Sequence, residues 1–153
     1  MPANPVDVVL KILGNPYELD AAKQLASEDF VYVSLNYENK DLQRIMPWCG
    51  TSHGIEGLVK TFVDVRRFWV IDAFAIEAAF GQDENVAVFG RFTYTSIVLG
   101  KKVTSPFAVF AKVVAGRCCY MQFMEDTLAT AASFRKSGSW TFHSDPDGAE
   151  VVI

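Results

Sequence analysis

Few side chains in this sequence combine a reactive type with suitable surroundings. Asp72 is a carboxylate in the strand-like half whose alternation with Phe74 and Ile76 points it toward an apolar face. It is the candidate general base, set against a solvent-facing or capping role at the start of its strand. His53 has an imidazole suited to shuttling protons near neutral pH, but it stands directly before Gly54, where a helix-cap role competes. Cys49 becomes a nucleophile only if the following helix start stabilises its thiolate, and no second group points to activation, so an inert thiol is the default. The planar fork of Arg91 suits a ligand carboxylate or enolate, or else an ion pair with Asp72 or Glu77. Glu125-Asp126 reads as the end of a strand and the cap of a helix.

Several kinds of chemistry are absent from the pattern. The chain has two histidines and three cysteines, none with metal-ligand spacing, so no metal is expected. It has no Gly-rich phosphate loop, and no cofactor is expected. Adjacent Cys118 and Cys119 make no disulfide framework, which points to a reduced, cytoplasmic setting. The net charge is −4 and no Lys/Arg cluster exceeds a pair, so neither nucleic acid nor an anionic membrane is an expected partner. The N-terminus lacks the features of a signal peptide, and no apolar run reaches the length of a membrane span.

The elements that must position these groups follow from periodicity. Asn4 caps and Pro5 opens a helix to about Leu13, and Asn15-Pro16 with Glu18 restarts one to about Ser27. Phe30 to Tyr37 reads as a strand, followed by a polar loop through Gly54 that contains Trp48. Ile55, Leu58, Val59, Phe62, Val65 and Trp69 predict a long amphipathic helix from Ile55 to Phe68. The period then becomes two. Strand-like runs cover Val70–Phe80, Val86–Val98, Lys102–Val114 and Arg117–Glu125, joined by hairpin turns. Thr127–Phe134 reads as a short helix capped by Asp126, and a small strand is expected at Trp140–His143. The reading is one α+β domain over residues 1–134, a curved antiparallel sheet wrapped round the long helix, with a polar tail over 135–153.

That order, with Pro47-Trp48-Cys49-Gly50-Thr51 and Gly54 before the long helix, Gly90-Arg91, the Ala115-Gly116-Arg117 turn and Met124-Glu125-Asp126, resembles the NTF2-like superfamily. The nearest resemblance is to its SnoaL-like, ketosteroid isomerase-related group, over roughly Pro5 to Phe134. The resemblance implies a cone with a pocket, Trp48 roofing the pocket entrance, and a homodimer formed through the convex face of the sheet, with Tyr120, Gln122 and Met124 outward. It also implies where acids should stand. The isomerase base position holds Ser34 and its oxyanion-hole acid position holds Ala108. The epoxide-hydrolase acids are replaced by Thr93 and Phe123, and Met121-Gln122-Phe123 supplies no acid for cyclase chemistry.

Carrying Arg91 inward by this resemblance takes Ala87, Phe89, Thr93 and Thr95 with it, and puts Cys119, Met121 and Phe123 on the inner face of the last strand. The expected pocket is then lined by Tyr32, Ser34, Trp48, Arg91, Thr93, Phe110, Met121 and Phe123, largely apolar and without the usual catalytic carboxylates. It suits a hydrophobic, cyclic small molecule, with isomerase- or lyase-like chemistry and no cofactor if it catalyses at all. The alternative is a non-catalytic, homodimeric binding or interaction module. An open pocket with Arg91 facing unpaired space favours the first, and a pocket filled by its own side chains the second.

Overall fold

The computed structural model describes residues 3–153. Helix α1 (Pro5–Gly14) starts as expected, with Asn4 Oδ1 accepting from the Val6 amide at 2.9 Å and Pro5 filling the first position, where no donor is needed. Helix α2 is shorter than expected, Leu19–Leu25, because Asn15 to Tyr17 form a turn rather than a helix start. Its end runs directly into β1 (Ala26–Ser34).

The polar stretch before the long helix is not one loop. Asn39 caps α3 (Lys40–Ile45) by accepting from the Leu42 amide at 2.9 Å, with Asp41 in the first turn. β2 (Gly50–His53) then pairs antiparallel with β1. A six-residue helix has too few turns for a hydrophobic period, and β2 is a polar edge strand, so neither gives a pattern signal. Helix α4 spans Ile55–Phe68 as the spacing predicts.

Strands β3 (Trp69–Gln82), β4 (Asn85–Ser96), β5 (Lys102–Val114) and β6 (Arg117–Glu125) form an antiparallel meander. The full sheet has six strands in the order β2-β1-β6-β5-β4-β3 and is mixed, because β1 lies parallel to β6. It curves without closing into a barrel, and α1 and α4 cover its inner face. Two register shifts bend β3, between Ile71 and Ala73 and between Ile76 and Ala78. At the second bend only glycine fits opposite. A Cβ on Gly90 would lie 2.2 Å from the Ala75 carbonyl oxygen and 2.5 Å from the Phe107 ring.

Helix α5 (Thr127–Ala132) is capped by Asp126, whose Oδ1 accepts from the Ala129 amide at 3.0 Å. Beyond it the tail forms a small hairpin, β7 (Thr141–Phe142) with β8 (Val151–Val152). Among the described residues no helix is long and apolar enough to cross a membrane.

Candidate functional site

The inner face of the sheet is set by strict alternation. On β4 the buried set is Val86, Val88, Gly90, Phe92, Tyr94 and Ser96, and on β5 it is Val103, Ser105, Phe107, Val109, Ala111 and Val113. Phe92 stacks on Tyr94 (4.1 Å between centroids) and Phe107 on Phe123 (5.1 Å), making an aromatic floor. On β6, Met121 and Phe123 point inward, and the next residue of that parity is Glu125.

Glu125 is the chemical centre of the site. Immediately after it, Asp126 turns the chain into α5, which leaves the Glu125 side chain beneath the helix. Part of the residue remains accessible, but its Oε2 is buried with no hydrogen-bond partner. Burial pushes its carboxyl from an ordinary 4.5 up to about 8, and the neighbouring Asp126 charge adds to the rise. Thr130, whose hydroxyl is also offered to the Asp126 carbonyl at 3.1 Å, acts in the opposite direction through a hydrogen bond. At neutral pH Glu125 therefore carries its proton.

Glu125 shares a narrow cleft with Tyr32 and Ser34 of β1, Trp48, Thr61, Phe62 and Val65 of α4, Trp69, Phe92, Tyr94 and Phe123. Burial raises the phenol pKa of both Tyr32 and Tyr94, and the Glu125 charge raises them further. Both hydroxyls stay protonated and can donate. The free space within the cleft is about 20 Å³, room for roughly one water-sized group. Phe62 and Tyr94 also line an outer pocket of about 370 Å³, bounded by the Gly14–Tyr17 turn and by Ile71, Phe74 and Ile76 of β3. They form the throat between the two spaces. At the outer rim the Arg66 guanidinium sits 3.5 Å over the Tyr17 ring, which meets Phe62 edge-on at 6.2 Å.

Four of the residues expected from sequence converge here: Tyr32, Ser34, Trp48 and Phe123. Trp48 is a wall rather than a roof. It is 7% exposed and meets Phe68 at 5.1 Å and Trp69 at 5.2 Å. Met121 faces inward but is fully buried in the core, away from the cleft lining. The inward placing of Arg91 and Thr93 is corrected, and with it that of Ala87, Phe89 and Thr95. All lie on the outer face, because the alternate set of β4 is the more apolar one and burying a guanidinium there would leave it unpaired. Arg91 instead pairs with Glu77 at 2.5 Å, and Thr93 with Thr104 at 2.8 Å. Phe110 is on the outer face of β5, against Tyr120.

Cys119 also faces outward, because the β5–β6 register shifts between Lys112 and Val113. Asp72 is not a base in the cleft. The β3 bulge between Ile71 and Ala73 breaks its parity with Phe74 and leaves it exposed, accepting from Thr95 at 2.6 Å. His53 is exposed on β2, opposite Val31 and outside the cleft. Cys49 is buried, and burial lifts its thiol to about 12, which disfavours the nucleophilic thiolate. Among the described residues no group of three or more His, Cys, Asp or Glu side chains is placed to hold a metal ion. Sequence reasoning misses Glu125 as a site residue, although the alternation Met121, Phe123, Glu125 carries it to the inner face.

No protein-family model matches the chain. It is 41% identical to patulin synthesis protein F of Aspergillus clavatus, over 97% of this chain and 78% of that protein. It is 40% identical to patulin biosynthesis cluster protein F of Penicillium expansum, over 94% and 75%. Among solved structures it is similar to an NTF2-like protein of Burkholderia thailandensis, at TM-score 0.73 and 18% identity over 87% of this chain and 98% of that one. TerC, co-crystallised with polyporic acid, matches at 0.71 and 18% over 85% and 97%. A protein described as a SnoaL-like polyketide cyclase from Jannaschia sp. CCS1 matches at 0.66 and 17% over 88% and 93%.

Proposed function

Since this chain belongs to the family of patulin synthesis protein F and has the NTF2-like, SnoaL-like fold, we propose that it binds a small oxygenated cyclic molecule and moves protons on it. One observation carries this reading: Glu125 has a buried, unpartnered carboxyl oxygen in a cleft shared with two phenols, where burial raises its pKa to about 8. A neutral carboxylic acid and a tyrosine together can polarise a carbonyl oxygen, the arrangement that ketosteroid isomerase achieves with a protonated aspartic acid and a tyrosine. Here the acid comes from the end of β6 instead of β5. Glu125 passes its proton to the ligand oxygen as its other carboxyl oxygen takes one from the adjacent ligand carbon, and the Tyr32 and Tyr94 hydroxyls donate to the negative charge that this builds on the ligand oxygen. Only the ligand's carbonyl oxygen enters the narrow cleft, and its ring lies in the outer pocket, against Phe62, Phe74 and Tyr94 at the throat. The names of the relatives and the polyporic acid of TerC support a cyclic ligand of biosynthetic origin.

The test is deuterium exchange. Wild type in D2O, incubated with a panel of cyclic ketones and enones, incorporates solvent deuterium at the carbon next to the carbonyl, as followed by NMR. Glu125→Gln slows this by about 10²- to 10⁴-fold, the usual contribution of general acid–base catalysis. Equal rates in the two proteins would remove Glu125 from the chemistry.

A second reading has its own support. The inner cleft is nearly filled by its own side chains, and the outer face of the sheet carries Phe80 and Phe89, stacked at 6.0 Å and 58% and 45% exposed. Both features suit a homodimeric binding module that pairs through this face. Native mass spectrometry that finds a dimer, together with no exchange on any panel member, would favour it.

A further inference from the structure

A second concavity lies on the far side of α5 from Glu125. Ile45, Leu128, Ala131, Phe134, Trp140 and Ile153 enclose about 350 Å³, with Arg135 at the edge. That volume falls within the range of small-molecule sites. The hairpin shapes it, because reciprocal bonds between Trp140 and Ile153 (2.8 and 2.9 Å) bring these two distant side chains to one wall. The floor is tied to the core. Phe134 packs on Trp69 at 4.8 Å with the rings tilted by 31°, and the Trp69 indole N–H donates to Ser133 Oγ at 2.9 Å.

Two features of this pocket suit a ligand. Its walls stay wet, with Leu128 and Trp140 each 55% exposed and Ile153 44% exposed. Arg135 is exposed, and among the described residues the ion pairs are Lys60–Asp64, Arg67–Asp64 and Arg91–Glu77, so its guanidinium has no carboxylate. Lys101 reaches the same turn, donating to the Arg135 carbonyl, so the positive charge there is concentrated. An apolar body would cover the walls, and one anionic group would meet the guanidinium fork.

We propose that this pocket is a second binding site, for a small amphipathic organic anion whose ring or short chain lies between Leu128 and Trp140 and whose acid group lies on Arg135. The site is independent of the chemistry assigned to Glu125.

The probe is 1-anilinonaphthalene-8-sulfonate, a flat apolar anion, titrated into the full chain with detection by dye emission and by energy transfer from tryptophan. Saturable binding is expected. Arg135→Gln weakens it about tenfold, the size of one charge-assisted hydrogen bond. Leu128→Glu, an exposed change on α5 that leaves the hairpin intact, weakens it at least as much, and Glu125→Gln leaves it unchanged. The uncharged N-phenyl-1-naphthylamine binds without regard to Arg135. Dye affinity unaffected by both Arg135→Gln and Leu128→Glu would overturn the proposal. So would a solution dimer in which Trp140 resists acrylamide quenching without dye, since a second copy would then occupy the pocket.

Discussion

Replacing Glu125 by glutamine tests the electrostatics of the cleft without any substrate. The folded-state carboxyl is raised from 4.5 to about 8, so the folded chain holds a proton that the unfolded chain releases. Its contribution to stability is then fully present below pH 4.5 and is lost progressively as pH rises through 8. With each tenfold change in proton affinity worth about 1.4 kcal/mol, the loss reaches about 3 kcal/mol at pH 7 and about 5 kcal/mol above pH 8. Glutamine has nearly the same shape and does not ionise, so its stability lacks this slope. The assay is urea unfolding followed by circular dichroism at pH 4.5, 7 and 9. The variant should gain on wild type by those amounts between the first and last pH, whatever constant offset the amide introduces. A difference that stays flat from pH 4.5 to 9 would show that Glu125 titrates as in the unfolded chain, and the claim of a neutral acid in the cleft would fail.

Three other substitutions separate the site from its frame. Trp48→Ala removes the indole wedged between Phe68 and Trp69 and should cost about 3–5 kcal/mol in urea unfolding, as expected of a core wall and not of a mobile lid. Gly90→Ala forces a methyl against the Ala75 carbonyl, which a paired strand cannot move far, and should cost about 1–3 kcal/mol or more. Arg91→Met breaks an exposed ion pair with Glu77, so unfolding should shift by less than about 1 kcal/mol, and exchange activity should be unchanged because the side chain is outside the cone.

Where the sequence carries a clear period, the elements are legible. Five of the six apolar positions from Ile55 place α4, the sixth, Trp69, opens β3 instead, and the hairpin turns place β3 to β6 within two residues. α3 and β2 are not legible, because six and four residues hold too little of any period, although Asn39 and Asp41 do mark a helix start. The site turns on parity. A period of two fixes which residues share a face but not which face is inside, and anchoring β4 on Arg91 reverses it. The anchor that works is aromatic, since Phe92 and Tyr94 have neighbours to pack against and Arg91 would have none inside. Asp72 fails for another reason: a bulge adds a residue, and alternation cannot be carried across it. Glu125 is hidden by its neighbour, because Asp126 does cap α5 and the pair reads as a single helix signal.

The protonation of the cleft also determines the direction of its chemistry. Among the described residues no cation lines it, and its titratable groups, Glu125, Tyr32 and Tyr94, are all held in their neutral forms by burial. Such a cleft repels a preformed carboxylate and accepts a neutral carbonyl, so the working form at pH 7 is the neutral acid, which donates from one carboxyl oxygen as the other accepts. The rate of exchange on the cyclic ketone panel should therefore be level below about pH 7 and fall tenfold per pH unit beyond about 8, as the acid form is lost. A rate that instead climbs through pH 8 would mean that the ionised carboxylate is the working form. The tyrosines would then stabilise an oxyanion made by a base, and Glu125 would begin the reaction by taking a proton.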